Sequence, residues 1–291
     1  MQKFKTVVEP KNKLLDLKLK ETLSYKDLIF LFVKRDFVAK YKQTILGPLW
    51  AIIQPLLTTL IHTFIFGTLA SLPTFDVEWH SSYFVPSFLF FMSGQIVWSY
   101  ISSTISATSN TFLANAGIMG KVYYPRLVSP IATSLSNFIQ EGIQFLIFLA
   151  IWAYYLIFGG ADIQITAWML MLPVLVIQMF AISMGLGIIL SSMTTKYRDL
   201  TMLIGFGLSL LAYLSPISYG LTLINNMPNW VQTVYMLNPF TNIILTFRYA
   251  MFGFGYFNIW YYLSSWGFTL LFLFLGIISF NRIEKTFMDT I

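Results

Sequence analysis

The sequence predicts an all-α integral membrane protein, and three observations predict it. Of 291 residues, 57% are hydrophobic and 10% are charged, with a mean hydropathy of +0.70. Soluble domains carry about a quarter charged residues. The apolar residues gather into charge-free runs of 18 or more, and about 20 apolar residues carry a helix across the hydrocarbon core. Lys and Arg appear in alternate connections between those runs, the bias that marks cytoplasmic loops.

Residues 1–47 form a basic flank, with eleven of the 18 Lys and Arg residues before position 48. This stretch lacks the short n-region and brief apolar core of a cleavable signal peptide. Phe30, Val33, Phe37 and Tyr41 recur at three- and four-residue spacing, which places them on one helical face. Asp36 and Lys40 stand at i,i+4 with the acid first, the favourable order. The segment therefore reads as a cytoplasmic tail carrying a helix that lies along the membrane surface.

Six spans are expected near 48–71, 84–109, 128–158, 168–192, 200–218 and 259–281. Together they make one transmembrane domain, 48–281, followed by a cytoplasmic tail, 282–291. Lys121 and Arg126 separate spans two and three, and Lys196 and Arg198 separate four and five. Arg282 and Lys285 follow span six. The loops near 72–83 and 159–167 hold Asp76, Glu78 and Asp162 but no Lys or Arg. With both termini inside, 17 of the 18 basic residues face the cytoplasm.

Arg248 is the exception. The run from Leu200 to Phe247 carries no charge and is long enough for two crossings. Two crossings would leave Arg248 near the bilayer centre, at a cost of about 2.5–3.5 kcal/mol on insertion scales. Pro216, Pro228 and Pro239 interrupt the run. Residues 219–258 therefore read as an external re-entrant segment, with Asn238 as helix cap and Pro239 in the first turn. Such backbone must be shielded by protein or line a wet cavity.

The motifs exclude several classes of chemistry. The chain has no cysteine, so thiol ligands and nucleophiles play no part. No phosphate-loop pattern occurs, because Gly117–Val122 lacks both the spacing and the hydroxyl. ATP chemistry would need a separate subunit. The expectation is no enzyme activity, no metal and no cofactor in this chain, and no nucleic-acid partner. His80 with Asp76 and Glu78 reads as a solvated loop cluster. Glu141 is the acid well inside a predicted span, beside Asn137, Gln140 and Gln144. Three readings stay open for it: satisfied packing, a lumen-facing role or proton coupling. Gln95, Ser99, Ser102, Ser106 and Ser109 place a polar face on span two. That face either packs closely through small residues or lines a conduit.

Certain stretches carry a family resemblance over nearly the whole chain. RDFVAKYKQTILGPLWAIIQPLL leads into span one, NAGIMGKVYYPRLVSP and KYRDL form the inner loops, and YLSPISY and NPFTNIILTFRYAMFG precede span six. With the tail FNRIEKTFMDTI, these resemble the membrane permeases of ABC exporters of lipid-linked polysaccharides. That group comprises the Wzm-like O-antigen permeases and their capsule and teichoic-acid relatives. Gly120 departs from the pattern where a charged residue is expected.

The resemblance implies a bacterial inner-membrane homodimer above two copies of an ATPase, which holds the ATP and Mg. It implies export of an undecaprenyl-linked polysaccharide. Residues 111–124 become a coupling helix, and Asn115, Lys121, Tyr123, Tyr124, Arg126, Lys196, Arg198 and Asp199 contact the ATPase. Residues 25–42 become a gate helix, whose Lys34, Arg35, Lys40, Tyr41 and Lys42 meet either the carrier pyrophosphate or anionic lipid. Gln95, Ser99, Ser102, Ser106 and Glu141 are channel candidates, and Asn238, Pro239 and Arg248 belong to the external re-entrant segment. Rival readings are a teichoic-acid or capsule exporter, a small-molecule efflux permease, an ion-coupled secondary transporter and a membrane-embedded transferase.

Overall fold

The computed structural model describes residues 19–72, 84–197 and 199–290, with the side chains of residues 19, 20 and 282–290 outside the description. Asp76, Glu78, His80, Arg198 and the side chains of the tail lie outside the described residues. Everything regular that is described is helical.

Two helices come first, α1 (Leu19–Ser24) and α2 (Lys26–Tyr41). A 3₁₀ turn, Gly47–Leu49, opens α3 (Trp50–His62), which winds into a π-helical stretch, Thr63–Leu69. Then follow α4 (Ser87–Ser109), α5 (Thr111–Met119) and α6 (Val128–Phe158). A 3₁₀ turn, Ala167–Met171, leads into α7 (Leu172–Thr194), and α8 (Leu200–Tyr213) follows. Three shorter helices, α9 (Thr222–Asn225), α10 (Asn229–Leu237) and α11 (Pro239–Phe252), precede α12 (Ile259–Thr290).

Among the described residues, five helical segments are long and apolar enough to cross a membrane: Gly47–Leu69, Ser87–Ser109, Val128–Phe158, Ala167–Thr194 and Ile259–Asn281. They coincide with five of the expected spans. The segment expected at 200–218 stops at Tyr213 and has 14 helical residues. At about 1.5 Å per residue it falls short of the roughly 30 Å core. Pro216 lies just beyond, and Asn238 Nδ2 donates to the Leu214 carbonyl at 3.1 Å, a bond that helps end the helix there.

α4 is the hub of the bundle. Most of its residues are buried, and it packs against α3, α6, α7, α8 and α11. Its apolar residues go all the way round, as a fully enclosed helix requires. Leu89, Phe90, Phe91, Tyr100 and Ile101 are buried in a core shared with Phe148, Ile182, Ile243 and Phe252. A second core joins α2, α5, α6, α7 and α12 through Ile29, Phe32, Val33, Phe112, Tyr124, Ile188 and Phe280.

α7 and α12 meet at a glycine crossing. A Cβ on Gly185 would lie 2.8 Å from the Leu273 nitrogen, and one on Gly276 would lie 2.9 Å from the Gly185 carbonyl. Small residues let membrane helices approach this closely, and the contact gains van der Waals packing where lipid offers no hydrophobic drive.

α11 starts as its sequence signature requires. Asn238 Oδ1 accepts from the Phe240 amide at 3.0 Å, and Pro239 occupies the first turn. It ends at Gly253, whose φ of +80° favours glycine. A Cβ there would also sit 2.3 Å from the Gln164 carbonyl. Most of α11 is buried, packed on α4, α7 and α12. The bundle therefore shields α11, whereas α9 has no buried residue and α10 buries only Tyr235 and Met236.

α2 departs from its expected face. Val33 and Tyr41 are buried as the spacing implies, but Phe30 is 70% exposed while Ile29 and Phe32 are buried instead. The helix is rotated because its apolar side meets α5 and α6. Asp36 also departs, since it pairs with Arg35 at 2.8 Å rather than with Lys40.

Candidate functional site

Two polar groupings hold the residues singled out in the sequence, a cleft within the bundle and a cluster at the end that carries α2 and α5. The cleft has a volume of about 350 Å³ and lies between the α3–π segment, α4, α8 and the turn leading to α9. Gln95, Trp98 and Ser102 reach it from α4, His62 from α3, and Tyr213 and Tyr219 from beyond it. His62 Nδ1 and Ser218 Oγ lie 2.8 Å apart and share a hydrogen bond. The Tyr219 hydroxyl donates to the Tyr213 carbonyl at 2.7 Å and accepts from Tyr235 at 3.1 Å. Trp98 is held edge-on to Phe240 with centroids 5.7 Å apart. The walls thus offer ring faces and hydroxyl and amide groups, without an acid or a fixed cation among the described lining residues.

The expected polar face of α4 splits. Gln95 and Ser102 line the cleft. Ser99 instead faces Glu141 of α6. Ser106 is half-buried, and its carbonyl accepts from Ser109 Oγ at 2.7 Å and Asn110 Nδ2 at 3.2 Å. Glu141 lies away from the cleft, in the wall of an apolar cavity among α4, α6 and α7.

In the second grouping, Arg35 bridges two helices. Its Nε donates to Asp36 at 2.9 Å and its Nη2 to Asn115 Oδ1 at 3.0 Å, with the guanidinium 4.4 Å from the Phe32 ring centroid. Asn115 in turn donates to the Thr111 carbonyl at 2.9 Å, so its amide is fixed within α5. Tyr124 shares a hydrogen bond with Ser129 at 3.1 Å and meets Phe32 edge-on at 5.6 Å. Burial pushes the Tyr124 hydroxyl pKa up, against the pull of the Ser129 bond and the Arg35 charge. Lys40 donates to Gln140 of α6. Burial lowers the Lys40 pKa from the usual lysine value, and the Glu141 charge opposes that shift. Tyr41 is buried, and its hydroxyl pKa is raised for that reason. Lys34, Lys42, Lys121 and Tyr123 are exposed. Lys196 sits 5.1 Å from the Tyr197 ring centroid, and Asp199 is exposed just before α8. Arg126 is half-buried at the entry to α6.

Residues 27–252 match a family described as ABC-2 type transporter. The chain belongs to the ABC-2 type transporter family. Two similar proteins from Klebsiella pneumoniae carry the name O-antigen export system permease protein RfbA. One is 28% identical over 281 residues, covering 94% of this chain and 99% of the relative. The other is 29% identical over 279 residues with the same coverage. A protein of the same name from Myxococcus xanthus is 24% identical over 235 residues, covering 79% of this chain and 82% of the relative.

The ABC-2 match begins inside α2 and ends at the last residue of α11. It therefore holds the cleft, Arg35, Asn115 and the buried Arg248. Ser218, Tyr219 and Tyr213 were not among the residues expected to line a path. The one available signal was Pro216 within the YLSPISY stretch, which marks a turn but not what it faces. Among the described residues no group of three or more His, Cys, Asp or Glu stands close enough to hold a metal.

Proposed function

We propose that this chain is the membrane permease of an ATP-driven exporter of O-antigen polysaccharide, carried on a lipid and moved across the bacterial inner membrane. The carrying observation is the nearly end-to-end match to proteins named O-antigen export permeases. Two copies would enclose the path, with a separate ATPase below. The cleft supports this reading, because ring faces beside hydroxyl and amide groups suit a neutral sugar polymer, and a charge-free wall would not trap it.

In this reading α8 and the turn after it complete a sixth crossing, and α9–α11 dip in from the outer side and return. Both termini face the cytoplasm, and α2 lies at the inner membrane surface. Lys34 in α2 and Lys42 just after it are then exposed cations that meet the carrier pyrophosphate or anionic lipid. Arg35 is engaged by Asp36 and Asn115 and acts as a tie between α2 and α5.

The test is export itself. Replacing the phosphate-loop lysine of the partner ATPase should abolish surface O antigen and leave lipid-linked polymer inside the cell. Continued export driven by a proton gradient alone would defeat the proposal.

A further inference from the structure

α6 and α7 each pack along α4 but meet one another only briefly. The gap between them is a cavity of about 510 Å³, within the usual range for small-molecule sites. Ile96 and Val97 of α4 and Phe247 of α11 form its floor, with Phe138 and Phe145 on one side and Ile177 on the other. Ile96 and Val97 point away from the α4 face that carries Gln95 and Ser102, so this cavity and the polar cleft lie on opposite sides of α4. Two polar side chains border the cavity, Tyr100 and Glu141. Neither opens its polar end into it, because the Tyr100 hydroxyl and Glu141 Oε1 are both buried. The Glu141 carboxyl faces Ser99 and the Lys40 charge instead.

The wall therefore selects hydrocarbon. Water occupies a cavity only where several polar partners hold it, and a polar guest would lose its hydration without return. The volume is roughly that of one turn of a helix about 10 Å across, too little to seat a neighbouring helix. At the rim Phe138 is 40% exposed and Ile177 60% exposed, and both stand on segments long and apolar enough to span a membrane. Ile139 and Leu146 of α6 and Val174 of α7 are exposed beside them, so the groove opens onto the surface that meets the bilayer. Gly142 widens the mouth, since it lines the groove and a Cβ there would meet nothing within 4 Å. Lipid is as apolar as these walls, so escape from water supplies no drive. Packing does, because an empty groove forfeits the dispersion contacts that a guest provides.

We propose that this groove holds one acyl chain of a bilayer phospholipid, drawn in sideways between α6 and α7 while its head group stays at the membrane surface. The chain lies over Ile96 and Val97 and supplies the contacts that α6 and α7 do not make with each other. The site is separate from the polar cleft and does not depend on what the cleft carries.

The probe is phosphatidylethanolamine with a diazirine within one acyl chain, mixed into nanodiscs holding the full chain and mapped by peptide sequencing after photolysis. Label on residues 138–145 and 172–179 should exceed label on the exposed α12 face at Leu270 and Phe274 about tenfold. Native mass spectrometry should find one phospholipid retained per chain after extraction. Gly142→Leu fills the groove, so it should lose that lipid and the groove label while the α12 label stays. Ile177→Trp obstructs the exposed rim and should act in the same direction, which decides the matter if Gly142→Leu does not fold. Equal label on the groove and on α12 would mean ordinary boundary lipid and would overturn the proposal. Folded Gly142→Leu that keeps both lipid and label would overturn it too. A groove without label would mean that a second copy covers it. Undecaprenyl phosphate that competes better than unlabelled phosphatidylethanolamine would assign the groove to the carrier, and either result refutes the phospholipid site.

Discussion

Arg248 is 3% exposed and donates to Ser93 Oγ at 3.1 Å and to the Ile217 and Phe90 carbonyls at 2.8 Å and 3.3 Å. Its guanidinium lies 3.6 Å from the Phe90 ring centroid. A buried charge survives only when its donors are met, and here carbonyls, a hydroxyl and a ring meet them in place of an acid. Gly94 leaves the room: a Cβ there would fall 2.7 Å from both Arg248 Nη2 and the Ile217 carbonyl. Arg248→Met should lower the thermal midpoint of the purified protein by several degrees, since losing one partner strands the others. Arg248→Lys should not restore it, because a single ammonium cannot reproduce the planar fork. Gly94→Ala should act in the same direction. A midpoint within about 2 °C of wild type, the least shift expected from 1 kcal/mol, would show that the cluster contributes little. The sequence marked Arg248 as an anomaly but could not supply its acceptors, which lie 31 to 158 residues away.

Among the elements, the α7–α12 contact is the most sharply constrained. Gly185→Leu should force the two helices apart and reduce folded, membrane-inserted protein by several-fold, measured as the monodisperse fraction after extraction. Gly205→Leu should be tolerated, because a Cβ there meets nothing within 4 Å. Equal yields would show that the close crossing is dispensable. Helix existence was legible from charge-free runs, and the ends of α6 agree with the sequence reading to the residue. The rotation of α2 was not legible. Its spacing marks apolar positions but does not say that α5 and α6, rather than lipid, supply the partner surface. The length of α8 was hidden too, because its end depends on Asn238, 24 residues beyond Leu214.

For the whole molecule, topology is the strongest expectation still open to measurement. The native chain has no cysteine, so a single introduced cysteine reports cleanly. Lys121→Cys and Lys285→Cys should react with an impermeant maleimide only from the cytoplasmic side, and Met227→Cys only from outside. External labelling at Lys285 would require a seventh crossing and would overturn the re-entrant reading. The candidate path was half legible. The face bearing Gln95 and Ser102 follows from helical spacing, whereas the His62–Ser218 bond joins residues 156 positions apart. Periodicity carries no information over such a separation.

The setting of Arg248 bears on the order in which the chain is made. Synthesis proceeds from the N-terminus, and Phe90, Ser93 and Ile217 all precede Arg248. When the ribosome delivers this arginine, every atom that will receive its protons has already been made. No acceptor of this cation has to be awaited from later synthesis.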